Sequence, residues 1–243
     1  MCGRYRLTAK ERWLSEYFNI PAEDIEWAAR WNIAPTDEVA TIRQDRKEPK
    51  RIFAKMRWGL IPYWSKDKSI GARAINAMSE TAAEKPVFRE SIKTRRCLVP
   101  ANGFYEWKKL GPKSKQAYHI GLAGDGLFAF AGLWDRWKDP SGPMIESCTI
   151  LTTEANSLLK DIHDRMPVIV SPEDYDRWLD PGLTDPARIA DLLRPFDARL
   201  MRKYAVSSTV NKVENDSPEC AKEIDQSTKA VQSGLFETTE PGK

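Results

Sequence analysis

The sequence predicts an α+β fold: a single domain with a mainly antiparallel, barrel-like strand core and peripheral helices. Three observations carry that expectation. Short apolar runs follow one another with Gly, Pro and Asp turns between them, strands do not alternate with long helices, and no internal repeat is present. The second observation excludes a doubly wound parallel sheet.

The elements follow in chain order. Thr8-Ala-Lys-Glu11 has the spacing of a capping box and opens a short helix with Trp13, Leu14, Tyr17 and Phe18 on one side. WNIAPTDEVATIRQD and RIFAKMRWGLIP read as strands about a charged turn. ARAINAMSETAAEKPVFRESI reads as an extended entry followed by short helical pieces broken at Pro86. CLVPANGFYEWKK, QAYHIGL, GLFAFAGLWDRW and ESCTILTT supply a run of strands, EANSLLKDIH a short helix and MPVIV another strand. Ser171-Pro-Glu-Asp174 starts a helix with proline at its first position, and DPARIADLLRPF starts a further one. From about Ser217 the chain turns polar and aperiodic. The folded domain is therefore expected over residues 1–218, with 219–243 a peripheral or disordered tail.

Composition bounds the function classes. No run approaches the roughly 18 apolar residues of a membrane helix, and MCGRYRLTAKER lacks the apolar stretch of a secretory signal, so a cytoplasmic protein is expected. A net charge of only +3 excludes a polybasic coat, and any nucleic-acid surface must be local. The four cysteines are widely spaced without a CxxC pair, and there are two histidines, so no metal and no cofactor are expected and the thiols are read as reduced. Nine Trp, seven Tyr and eight Phe either fill the core or offer stacking platforms for unpaired bases.

Four side chains are candidates for chemistry. Cys2 follows the initiator methionine directly. If Met1 is removed, an α-amine with a pKa near ~7.7–8.0 lies two carbons from a thiol. Such an amine condenses with an aldehyde, and the thiol closes onto the imine carbon as a five-membered thiazolidine, aided by high effective concentration. Read otherwise, Cys2 is an inconsequential terminal residue. His163 lies among Asp161, Asp164 and Arg165 at an element boundary, as a structural residue or as a general acid. Glu106 interrupts an aromatic strand; alternation puts it on the face of Phe104, opposite Tyr105 and Trp107. It is either an edge residue facing water or a carboxyl with a raised pKa. Asn76 either makes a turn or fixes an amine or carbonyl with its amide. His119, in an alternating strand, reads as ordinary.

Six motifs occur in register: Cys2-Gly-Arg4, Asn32-x-Ala-Pro35, Arg57-Trp-Gly-Leu-Ile-Pro-x-Trp64, Ile75-Asn-Ala-x-Ser-Glu-Thr81, Arg95-Arg-Cys-Leu-Val-Pro-Ala-Asn-Gly-Phe-Tyr-Glu-Trp107 and Ile162-His-Asp-Arg-Met-Pro-Val-Ile169. Together the stretch from Cys2 to about Pro218 resembles the SRAP family, the SOS response-associated peptidase-like proteins. The resemblance implies a sensor of abasic sites in single-stranded DNA, acting in the DNA-damage (SOS) response. It traps the sugar aldehyde on Cys2 as a thiazolidine crosslink once Met1 has been removed, a removal that gives the family its peptidase label. It implies that Asn76 positions the amine, Glu106 acts as general acid/base, and His163 assists ring opening of the sugar. Arg4, Asn32, Pro35, Trp64, Thr152 and Thr153 would line the DNA side, and Trp58 would be core. The protein would act as a monomer, associated with the nucleoid when engaged, with no metal, membrane or organic cofactor.

One departure from the family pattern stands out. Met78 occupies a position where the family commonly has arginine, which removes one phosphate contact; Arg73, three residues before Asn76, is the candidate to replace it. Two other classes stay open on the residues alone. One is a cysteine peptidase using Cys2, His163 and Glu106; the other is a non-covalent reader of single strands or modified bases.

Overall fold

A computed structural model describes residues 2–45, 48–140 and 142–225. Its strands are β1 (Tyr5–Leu7), β2 (Arg30–Ile33), β3 (Glu38–Gln44), β4 (Arg51–Trp58), β5 (Asn76–Met78), β6 (Arg96–Ala101), β7 (Gly103–Lys109), β8 (Lys115–Leu122), β9 (Phe128–Lys138), β10 (Met144–Glu154), β11 (Arg165–Pro167), β12 (Ile169–Val170) and β13 (Met201–Ala205). The α-helices are short: α1 (Glu11–Phe18), α2 (Ser91–Thr94) and α3 (Tyr175–Leu179).

The strands form two sheets. In the larger, β10 pairs in parallel with β4, β4 with β3, β3 with β6, β6 with β9, and β9 returns to β10, all but the first pairing antiparallel. That circuit is a closed five-stranded barrel, so its strands have no free edge. β5 and β11 are added along β10, and β12 along β9. The smaller sheet runs β13-β8-β7-β1-β2. The α+β class and the mainly antiparallel, barrel-like core expected from the sequence are what the chain adopts.

The two sheets share one core. Tyr5 of the smaller sheet meets Trp58 and Phe130 of the barrel edge to face, at 5.4 and 5.8 Å between ring centroids, and Phe104 meets Phe130 at 5.9 Å. This explains why Phe128–Asp135 is buried without alternation: one face of β9 lines the barrel and the other packs under the second sheet. Gly59 ends β4 at φ 129°, and a Cβ there would meet the Gly71 carbonyl oxygen at 2.5 Å. The Trp-Gly-Leu-Ile-Pro motif therefore requires glycine at this turn.

Several local expectations are corrected. Thr8 does not cap α1; Lys10 occupies that position without a side-chain cap, because the Asn102 amide oxygen takes the Thr8 and Ala9 N–H groups at 2.8 and 3.1 Å. EANSLLKDIH forms turns rather than a helix. MPVIV is two strands, since Val168 donates its N–H to Leu151 of β10 while its carbonyl accepts the Ala131 N–H of β9, switching neighbours in between. Pro172–Asp174 and Pro186–Leu192 are 3₁₀ turns, the second capped by Asp185 through the Ala187 N–H at 2.9 Å. The chain beyond 218 stays folded to the end of the described residues. Cys220 is fully buried in an apolar cluster with Tyr105, Val206 and Val210, and the Ile224 N–H donates to Ala205. The remainder of the expected tail lies outside the described residues.

His119 shows how the smaller sheet is locked. It is fully buried on β8, and its Nε2 accepts a hydrogen bond from Arg6 Nε at 2.8 Å. A Cβ at Gly103 would fall 2.0 Å from that nitrogen, so only glycine fits opposite it. Burial, reinforced by the Arg6 charge, lowers the His119 pKa to about 2. Below an unfolded value near ~6.5 the unfolded chain takes a proton that the native chain refuses, so this residue makes stability fall as pH falls from there towards 2. Denaturant melts between pH 7 and 4 are expected to show wild type losing about 1.4 kcal/mol per pH unit more than His119→Gln, which accepts from Arg6 without titrating.

Candidate active site

The four candidate side chains converge where the two sheets meet. Cys2 precedes β1 and Glu106 sits mid-way along β7, both from the smaller sheet; Asn76 opens β5 and His163 precedes β11, both attached to β10. β7 alternates as the sequence predicts: Phe104 faces the barrel core, whereas Tyr105 and Trp107 join the second apolar cluster. Glu106 thus points inward and is 4% exposed, which rules out the edge position facing water. Burial raises its pKa above the ordinary carboxylate range, and the His163 charge works against the rise.

Cys2 is fully buried. Burial, then the Glu106 carboxylate, pushes its thiol far above the usual value, while the Arg4 backbone N–H pulls the other way. The thiol is therefore neutral. Asn76 Nδ2 donates to the Cys2 carbonyl oxygen at 2.8 Å. The amide is held from behind: the preceding Ile75 carbonyl accepts from Trp58 Nε1 at 2.9 Å and from the Ile150 N–H at 3.1 Å. Asn76 Oδ1 is buried and accepts from no described residue.

His163 Nδ1 accepts the Arg165 backbone N–H at 3.0 Å, which in the neutral ring places the proton on Nε2. The Asp164 carboxylate lies 2.6 Å from the same Nδ1, so protonation would exchange one partner for the other. The ring therefore has a partner for either state of Nδ1, as a proton carrier requires.

The expected DNA-side residues separate into two groups. Trp64 is 47% exposed, and Pro35 is half-buried. Arg4 is half-buried, with Nη1 donating to Asn32 Oδ1 and to the Val210 carbonyl, both at 2.9 Å, and its guanidinium 5.8 Å from the Trp107 ring. It lines an open cavity of about 580 Å³ with Trp107, Lys113 and Lys115. Asn32, by contrast, is fully buried. Its amide donates to the Val210, Lys212 and Asn215 carbonyls, so it staples the chain after β13 and offers DNA no surface. Thr152 and Thr153 are also buried, as ladder residues of β10 opposite Pro167 and Met166. Met78 is 40% exposed at the end of β5 and Arg73 is exposed before it.

One pair in the site had no role in the sequence reading. Arg165 grips Glu80 with two hydrogen bonds, both 2.8 Å, and donates to the Thr152 carbonyl at 2.6 Å. This ties the His163 turn to the exit of β5, and hence to Asn76. Both residues lay inside quoted motifs with opposite charges, but nothing in their spacing signalled that they meet.

Among the described residues no group of three or more His, Cys, Asp or Glu could hold a metal ion, and no helix is long and apolar enough to cross a membrane. All four cysteines are free and buried.

Comparison with known proteins places this site in context. The family model described as SOS response associated peptidase (SRAP) matches residues 1–213. The abasic site processing protein YoqW of Bacillus subtilis (strain 168) is 46% identical over 221 residues, covering 90% of this chain and 98% of its own. The mouse (Mus musculus) abasic site processing protein HMCES is 33% identical over 207 residues, covering 73% of this chain and 58% of its own. A crystal structure of a protein from Bacteroides thetaiotaomicron superposes with a TM-score of 0.79 at 29% identity, covering 92% of this chain and all of that one.

Proposed function

We propose that this chain, which belongs to the SOS response associated peptidase (SRAP) family, recognises abasic sites in single-stranded DNA and captures them covalently through Cys2. The name carried by its relatives, abasic site processing protein, supports the substrate. A single observation carries the chemistry: the Asn76 amide grips the Cys2 carbonyl, and Glu106, buried and with its pKa raised, is close enough to act on the Cys2 thiol.

Met1 lies outside the described residues; its hydrolytic removal releases methionine and exposes the Cys2 amine, for which the buried Asn76 Oδ1 is an available acceptor. His163 relays a proton from the C1′ hydroxyl to O4′, opening the sugar to its aldehyde. The neutral amine adds to C1′, and Glu106 gives its proton to the departing hydroxyl, which leaves as water. The Cys2 sulfur then adds to the iminium carbon, and the thiol proton restores the Glu106 acid. The net change is one water lost and one thiazolidine formed. Ring closure is intramolecular, so a thiol held neutral by burial suffices.

That same neutral thiol argues against a general cysteine peptidase, which needs a thiolate stabilised by its surroundings. Here burial and Glu106 push the other way. Peptide cleavage is thus confined to Met1. The role assigned is lesion shielding during the DNA-damage (SOS) response, by a cytoplasmic monomer that joins the nucleoid when engaged.

The test is a denaturing gel of the protein with single-stranded oligonucleotides, with and without one abasic site. The abasic oligonucleotide alone is expected to shift, and intact mass to show Met1 absent. An undiminished shift after acetylation of the protein's α-amine would overturn the proposal. A second expectation concerns Met78. Because arginine there would neutralise one more phosphate, Met78→Arg is expected to steepen the slope of log affinity against log salt by about 0.7 for single strands. Titrations at several salt concentrations read this directly.

A further inference from the structure

We propose that a cavity on the barrel's outer face, walled by Arg43, Tyr63, Arg95, Trp134 and Arg136, is a second nucleotide site that holds one unpaired base. The inference rests on the reading that this chain binds single-stranded DNA. The cavity is about 430 Å³, within the ~300–1,000 Å³ of small-ligand sites.

Its walls are built for a flat ligand. The Arg43 guanidinium lies 4.2 Å from the Trp134 ring and Arg95 lies 6.0 Å from the Tyr63 ring, so cation and ring faces line one space. These faces are anchored. Glu146 accepts from both Arg43, at 3.2 Å, and Arg136, at 2.5 Å. Asp135, 3% exposed, accepts the Tyr63 backbone N–H at 3.0 Å and lies 3.2 Å from Arg95 Nε.

The charges discriminate between ligands. Arg43 and Arg136 pair with the Glu146 carboxylate and Arg95 with Asp135, and Asp45 adds a third carboxylate to the lining. A balanced set is no trap for a bare anion. It does suit a nucleobase, whose faces stack and whose edge carries both donors and acceptors. The position suits a base from the captured strand. Tyr63 is 58% exposed and is the chain neighbour of the exposed Trp64. Their loop is pinned at both ends, by Tyr63 to Asp135 and by Trp137 Nε1 to the Ser65 carbonyl at 2.8 Å. One short loop thus joins the cavity to the surface expected to meet the lesion.

The test uses the full chain and abasic oligonucleotides carrying 5-iodouracil at successive positions on either side of the lesion. After irradiation, mass spectrometry is expected to find a photoadduct on Tyr63 or Trp134 from one flanking register only. Tyr63→Ala is expected to weaken binding of undamaged single strands by about five-fold or more, with Cys2 adduct yield at saturating DNA unchanged. Competition by free deoxycytidine monophosphate would show that the pocket also accepts a base from solution. Normal Cys2 adducts with no photoadduct in the cavity from any position would overturn the inference and leave the lesion chemistry standing. So would unchanged affinity in both Tyr63→Ala and Arg136→Ala. Cavity photoadducts without any Cys2 adduct would instead sustain the pocket and sink the lesion chemistry.

Discussion

Cys2→Ala is expected to reduce the adduct that survives a denaturing gel by about 100-fold or more, because ring closure has the advantage of a covalently tethered nucleophile. In variant protein whose intact mass shows Met1 absent, the amine is still expected to form an imine with the aldehyde. Without sulfur that imine hydrolyses when the protein unfolds. Borohydride added before denaturation is expected to recover the adduct, which assigns the amine and the thiol to successive steps. Native-gel binding of the abasic strand is expected to persist. An adduct of undiminished yield in Cys2→Ala without reductant would refute the thiazolidine.

Glu106→Gln is expected to slow adduct formation about 10²–10⁴-fold, the usual worth of a positioned acid, while leaving DNA affinity unchanged. The pH profile separates this from a structural effect. In wild type the rate is expected to rise with pH as the amine deprotonates, then to fall as Glu106 loses its proton. Burial sets that fall above the ordinary carboxylate range. The variant is expected to keep the rise and lose the fall. Stability moves in the opposite sense. Between its ordinary and its raised pKa the native carboxyl holds a proton that the unfolded one has lost, so this group lowers stability as pH rises. Glu106→Gln is therefore expected to melt higher than wild type at pH 8, with a smaller difference at pH 5. A lower melting temperature at pH 8 would show that the carboxyl is not the buried acid required here.

The legible and illegible parts divide along the range of the interactions. Strand alternation put Glu106 on the face of Phe104, opposite Tyr105 and Trp107, by a period of two that needs no tertiary information; that this face turns inward comes only from the packing of the sheets. The barrel's closure was only partly legible: β10 pairs in parallel with β4, Ser147 opposite Arg57, a contact between segments far apart in sequence with no local signature. Helix starts were read wrongly where a distant side chain took over, as Asn102 did for Thr8. Asn32 carried a motif signature but not its location. Its burial depends on carbonyls near residue 212, which no local pattern links to it. The Glu80–Arg165 grip was invisible for the same reason.

The strands of the two sheets interleave along the chain: β1, β2, β7, β8 and β13 belong to one, and the strands between them to the other. Cys2 and Glu106 come from one sheet and Asn76 and His163 from the other, so any single cut between Cys2 and His163 divides the four between the fragments. Split versions would have to reassemble through many crossings at once. Moving the four residues together into another protein would mean moving the chain from Cys2 to at least β11.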